Sequence, residues 1–129
     1  MEKLLSHLSE FGYFLFRVAV ASLFVFHGLQ KLFGWYGGPA VPLLSLRGLA
    51  GVVEIVAPPF LALGLFTRLI AFVTACEMLG AYYIAHVPVA RWPIQNRGEL
   101  SLLYFSAFLY MTFRGGGKYS LDRLVRKTP

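Results

Sequence analysis

The sequence predicts an all-α protein, an integral membrane four-helix bundle with both termini cytoplasmic. Three observations carry that reading. The 129 residues are 57% hydrophobic and only 14% charged, outside the range of a soluble domain. The apolar residues fall into four runs parted by turn-forming segments, and the basic residues are distributed unequally between the two sets of turns.

The first run, Phe11 to Phe33, supplies the roughly 20 residues that cross about 30 Å of hydrocarbon at the helical rise. Before it, Leu4, Leu5 and Leu8 alternate with Glu2, Lys3 and Glu10, which predicts a short amphipathic lead-in at the membrane surface. The opening Met1-Glu2-Lys3 is not strongly basic and the run is too long for a signal core, so the first helix is expected to be retained. Gly37, Gly38, Pro39 and Pro42 then break the chain into a loop, with Trp35 and Tyr36 placed for an interfacial aromatic belt.

The second helix is expected at about 47–66, kinked near its middle by Pro58-Pro59. A tight turn leads to the third at about 67–86, where Ala71 and Ala75, and Ala81 and Ala85, have the spacing of a close helix contact. Cys76, the single cysteine, excludes an intramolecular disulfide and a dithiol pair, and is expected to be a small buried hydrophobe. A loop with Pro88, Trp92 and Pro93 precedes the fourth helix at about 98–113. Gly115-Gly116-Gly117 ends it, leaving a basic tail, 118–129, with a short amphipathic turn at Leu121, Leu124 and Val125.

An even number of spans puts both termini on one side. That side carries Lys3, Arg68, Arg114, Lys118, Arg123, Arg126 and Lys127 against Lys31, Arg47, Arg91 and Arg97 on the other, so the positive-inside rule makes it cytoplasmic. The +6 net charge therefore follows membrane topology, and nucleic acid is not an expected partner, because the basic residues form no stripe interleaved with exposed aromatics.

Polar residues inside such runs are costly and mark function by default. Counting from the helix ends, His27 and Glu54 lie level, each roughly 9 Å below the outer face. Lys31 shares a face with His27, Glu77 lies deeper in the third helix, and His86, Asn96 and Glu99 lie at the outer ends of the third and fourth. Glu99, Ser106 and Tyr110 form another stripe able to line a cavity. Glu77 and His86, nine residues apart, point to opposite sides of a regular helix. Arg17 reads either as a site residue or as a structural partner for a carboxylate.

No Glu-x-x-His pair suits a dinuclear metal, and His27 and His86 differ in depth by roughly 6 Å, which disfavours bis-histidine haem, so no metal is expected. Phosphate loops, nucleophile elbows and Cys-x-x-Cys motifs are absent from the sequence.

Taken together these pieces carry a family resemblance. They are Arg17 with Phe26-His27-Gly28-Leu29-Gln30-Lys31-Leu32-Phe33-Gly34, then Gly51-Val52-Val53-Glu54, then Gly64-Leu65-Phe66-Thr67-Arg68-Leu69-Ile70-Ala71. His86, Trp92-Pro93-Ile94-Gln95-Asn96-Arg97-Gly98-Glu99 and Gly115-Gly116-Gly117-Lys118-Tyr119-Ser120-Leu121-Asp122 complete the set. The chain resembles the DoxX family of small four-helix bacterial membrane proteins over nearly its whole length, with Gly116 where a proline is usual. The resemblance implies a multi-pass protein of the bacterial cytoplasmic (inner) membrane and a link to thiosulfate:quinone oxidoreductase and oxidative-stress complexes.

A quinone-linked redox role follows from the resemblance. His27, Glu54 and Glu99 are then the candidate catalytic residues, and Lys31, Arg17, Glu77, His86 and Asn96 the candidate cofactor-binding set. His27 and Lys31 would donate to a quinone carbonyl, Glu54 and Glu99 would pass protons, and Phe24, Phe26 and Phe33 would wall the slot. The competing class is a non-catalytic membrane anchor or assembly partner for a soluble redox enzyme. A third reading, transport of protons or a small polar solute, would at this size call for a homo-oligomer.

Overall fold

The computed structural model describes residues 1–126, and its regular structure is helical throughout. Helix α1 runs Glu2–Phe33, followed by a 3-10 turn at Trp35–Gly37, α2 at Leu46–Leu63 and α3 at Thr67–Ala81. α3 runs on into a π-turn, Tyr82–His86. A short α4 (Pro93–Asn96) leads into α5, Glu99–Arg114, and α6 (Leu121–Val125) follows. Among the described residues, α1, α2 and α3 with its π-turn are long and apolar enough to cross a membrane. At 16 residues, α5 is shorter.

The residues at each boundary explain it. Gly34, at φ 68°, takes the left-handed conformation that ends α1, and its N–H returns to the Gln30 carbonyl at 3.0 Å. Ser45 caps α2, its hydroxyl accepting the Gly48 N–H at 3.0 Å. Gly64, again left-handed, ends α2 at Leu63, three residues before the expected end at 66. α2 continues through Pro58 and Pro59. Neither proline has an N–H, so the Glu54 and Ile55 carbonyls lose their helical donors.

α1 packs antiparallel against α2, and α3 against α5; the α2–α3 turn joins the two pairs. Phe24, Tyr104 and Phe108 stack at the centre, Phe24 lying 4.8 Å from Phe108 and 5.2 Å from Tyr104 between ring centroids. Leu61, Met78, Met111, Ala21, Ala71 and Ala75 complete the core, so the first alanine pair serves close packing, whereas Ala85 is exposed. Outside, Leu23, Leu49, Leu69, Phe72 and Leu103 are exposed, a surface suited to hydrocarbon rather than water.

Two expectations are corrected. The lead-in is no separate element: residues 2–10 are the first turns of α1, since neither proline nor glycine interrupts them and Leu, Glu and Lys favour helix. Cys76 is exposed, because Ala75 and Met78 turn inward and place it on the outer surface beside Phe72 and Val73. The tail's amphipathic turn is α6, while Lys127, Thr128 and Pro129 lie outside the described residues.

Candidate functional site

The site begins where two glycines let α1 and α2 touch. A Cβ on Gly28 would lie 2.7 Å from the Gly51 carbonyl oxygen and 3.0 Å from the Glu54 carbonyl carbon, so only hydrogen fits there. Helical side chains tilt towards their own N-terminus. In an antiparallel pair, Lys31 therefore leans down from one turn beyond Gly28, while Glu54 leans up from one turn beyond Gly51. They meet as an ion pair, Lys31 Nζ to Glu54 Oε1 at 2.5 Å, with Glu54 1% exposed and Lys31 20%.

Glu77 of α3 reaches the same place, its carboxyl beside that of Glu54 with Lys31 as the neighbouring cation. Tyr104 of α5 interacts electrostatically with Glu54, and the His27 ring stands edge-on to Tyr104 at 5.6 Å. Four helices thus bring His27, Lys31, Glu54, Glu77 and Tyr104 together. The cluster is short of donors: Glu54 Oε2 and both Glu77 oxygens are buried with no protein donor among the described residues, so the two carboxyls can satisfy each other only through a proton shared between them. The Glu54 carbonyl, robbed of its donor by Pro58, adds a further acceptor.

Other expected members lie elsewhere. His86 turns to the α3–α5 junction, its Nδ1 3.0 Å from the Asn96 carbonyl and its Nε2 3.3 Å from Ser101 Oγ. Asn96 holds that junction together by donating to the Tyr82 hydroxyl and the Ala90 carbonyl and accepting from the Gly98 N–H. Glu99 is exposed in the first turn of α5, where it complements the helix dipole. Of the three phenylalanines, Phe24 backs Tyr104, whereas Phe26 and Phe33 face outward. Ser106 and Tyr110 line a groove of about 460 Å³ between α1 and α5, beside Tyr13, Phe16 and Arg114; Glu99 is not part of it.

Arg17 sits at the opposite end, fully buried, where it donates to the backbone carbonyls of Gly116, Ala62 and Tyr119. Its partners are carbonyls and no carboxylate. Around it Tyr13 donates to the Gly115 carbonyl at 2.5 Å, and Arg68 closes the end of α5 by donating to the carbonyls of Thr112, Phe113 and Arg114. Asp122 caps α3, accepting the Phe66 and Thr67 N–H groups at 2.7 and 2.9 Å. Burial pushes the Asp122 carboxyl up, but these N–H groups and Arg126 outweigh it and hold the carboxyl below its ordinary range. Glu10 accepts the Lys118 N–H at 3.0 Å and pairs with Arg114 at 2.5 Å.

The sequence profile of the DoxX family matches residues 12–87, well over half of the chain. The chain belongs to the DoxX family. The match takes in α1, α2 and α3, and with them His27, Lys31, Glu54 and Glu77; Tyr104 and the Gly115–Asp122 segment lie beyond it. Among curated proteins, this DoxX protein is 43% identical over 116 residues to an uncharacterized protein of Haemophilus influenzae, covering 82% of this chain and 84% of that one. It is 30% identical over 120 residues to the inner membrane protein YphA of Escherichia coli, covering 83% and 85%, and 27% identical to an uncharacterized membrane protein of Mycobacterium tuberculosis, covering 86% and 79%. No solved structure matches it significantly. Among the described residues, no group of three or more His, Cys, Asp or Glu side chains is placed to hold a metal ion.

Proposed function

We propose that this DoxX protein is a four-span subunit of a quinone-linked redox system in the bacterial inner membrane, with both termini cytoplasmic. Its proton-handling centre is the Lys31–Glu54–Glu77 cluster. The observation that carries the reading is the pair of carboxyls lying side by side with one cation in contact, Lys31, and Arg47 acting on Glu54 from farther away. Two like charges sharing a dry site oppose double ionisation, and one lysine neutralises one of them, so charge balance is met with one proton held between the two.

The donor set suits a quinone headgroup. Lys31, His27 and Tyr104 carry hydrogen-bond donors for a carbonyl, and the orphaned Glu54 and Glu77 oxygens would accept from the hydroxyls of the reduced form. A bound quinone would supply a two-electron, two-proton couple. The chain's part is to orient the headgroup through Lys31 and His27, exclude water with Phe24 and Phe108, and hold or release a proton at Glu77. α5, though short, is the fourth span, supported by its antiparallel packing on α3 and by Arg114 at one end.

The test is quantitative extraction of quinone from protein purified gently from its native membrane, alongside Glu77→Gln and Glu54→Gln. Roughly stoichiometric quinone in the wild type, lost in the variants while both remain folded, is expected. Quinone-free wild-type protein, or variants that retain as much as it does, overturns the reading. The anchoring reading is favoured by one feature, the exposed arginines Arg123 and Arg126, and predicts instead a soluble enzyme that copurifies and is lost when both are replaced.

A further inference from the structure

At the Arg17 end a second cavity, of about 380 Å³, opens between the beginning of α3, the end of α5 and α6. Four arginines line it: Arg68, Arg114, Arg123 and Arg126. Its floor is Gly115, Gly116, Gly117 and Ser120. The single carboxylate in its lining, Asp122, is already engaged, both oxygens taken by the N–H groups of Phe66 and Thr67. Glu10 offsets Arg114 from outside the lining. Positive charge is therefore in excess there.

The four arginines are in different states. Arg68 is fixed by three backbone carbonyls, and Arg114 by Glu10 and the Tyr110 hydroxyl, with its Nε buried and unpartnered among the described residues. Their ordering entropy is already spent. The Arg123 and Arg126 guanidiniums are exposed, and among the described residues neither donates to a protein acceptor. Two fixed guanidiniums and two that make no hydrogen bond among the described residues, Arg126 acting on Asp122 only through its charge, surround one glycine-floored hollow and suit an oxyanion with several acceptors, since guanidinium forks match phosphate geometry.

We propose that this hollow binds phosphate oxygens, contributed by the headgroup of an anionic phospholipid or by free phosphate. Its level in the fold fits the first source. It lies where α3 begins and α5 ends, at the depth of the headgroups of a bilayer that α3 spans.

The full chain in neutral detergent is titrated with phosphatidylglycerol, phosphatidylcholine and inorganic phosphate, and the 1:1 complex is read by native mass spectrometry. The variants are Arg123→Gln with Arg126→Gln, and, as a charge-matched control at the far end, Arg47→Gln with Arg91→Gln. Both pairs are exposed, so both variants should fold. Phosphatidylglycerol is expected to bind in preference to phosphatidylcholine and to weaken about fivefold per arginine removed, roughly 25-fold for R123Q/R126Q, with the control unchanged. Displacement of that lipid by inorganic phosphate would support the site and assign it to free phosphate. No preferred binding by the wild type, equal binding by R123Q/R126Q, or equal weakening in the control overturns the proposal.

Discussion

Replacing Lys31 with methionine keeps the length of the side chain and removes its charge, which isolates what the ion pair does. Glu54 is 1% exposed and its second oxygen already lacks a donor, so in Lys31→Met a buried carboxyl stands next to Glu77 with no cation. Removing one partner of a buried pair costs about 3–5 kcal/mol, and the partial exposure of Lys31 argues for the lower end, about 3 kcal/mol. Glu54→Gln leaves a lysine that still has the Glu77 carboxyl beside it and can also turn its ammonium towards the outer face, a loss of about 1 kcal/mol. The double variant strands no charge and should be more stable than Lys31→Met alone, giving a coupling of about 2 kcal/mol. Unfolding by titration with dodecyl sulfate, followed by circular dichroism in mixed micelles, measures all four corners of the cycle. A coupling near zero, with the double variant less stable than either single one, would refute the view that Lys31 neutralises Glu54.

Three further substitutions probe the frame. Gly28→Ala puts a methyl against the α2 backbone and should cost about 1–3 kcal/mol in the same titration, more than the same change at Gly12, where the added Cβ meets nothing within 4 Å. Asp122→Asn weakens the α3 cap by about 1 kcal/mol at neutral pH. Because the Asp122 carboxyl is lowered on folding, its contribution is present above the ordinary value of 3.8 and fades as pH falls through the lower folded value, so wild type and variant should converge in stability on acidification. Cys76, exposed among apolar neighbours, should react with a lipid-soluble maleimide and resist a charged one in intact membranes; equal labelling by both would remove α3 from the bilayer.

The helices were legible because long apolar runs and Gly/Pro breaks are local signals, and Gly34, Gly64 and Gly115 end their helices where those breaks stand. The His27–Lys31 stripe and its level with Glu54 were legible by counting rise and phase. What counting leaves out is which helices touch. Tyr104 belongs to the cluster only because α5 packs on α3 and presents that face, and an aromatic residue in an apolar run gives no sign of its neighbour. Arg17 shows the limit most clearly. Its charge predicts a carboxylate partner, yet its hydrogen bonds go to the Ala62 carbonyl of α2 and to two carbonyls, Gly116 and Tyr119, of a glycine-rich segment about a hundred residues away, and backbone carbonyls have no signature in a sequence. The opposite phase of Glu77 and His86 holds for a regular helix, but α3 ends at Ala81 and a π-turn carries His86, whose contacts are with Asn96 and Ser101.

The two ends of the bundle handle buried charge differently, and the difference supports the proposed proton-handling role of the Glu77 end. At the Arg17 end the buried and half-buried charged groups have partners: guanidiniums meet carbonyls, Asp122 meets two N–H groups, and Glu10 meets Arg114 and the Lys118 N–H, although Arg17 Nε, Arg114 Nε and Thr67 Oγ1 are left without one among the described residues. Such a knot fixes α1, the α2–α3 turn and α6 to one another and frames the arginine-lined hollow. At the other end Lys31 and Glu54 would already suffice as a structural pair. Glu77 adds a second acid whose oxygens have no partner among the described residues except the facing Glu54 carboxyl. A leucine or glutamine at 77 would fill the same space without burying a second acid, so stability gives no reason for the carboxyl to be there. A proton that must be held and released does give one, because the exchange needs a group whose two protonation states are both tolerable, and a carboxyl beside a lysine-paired carboxylate is such a group.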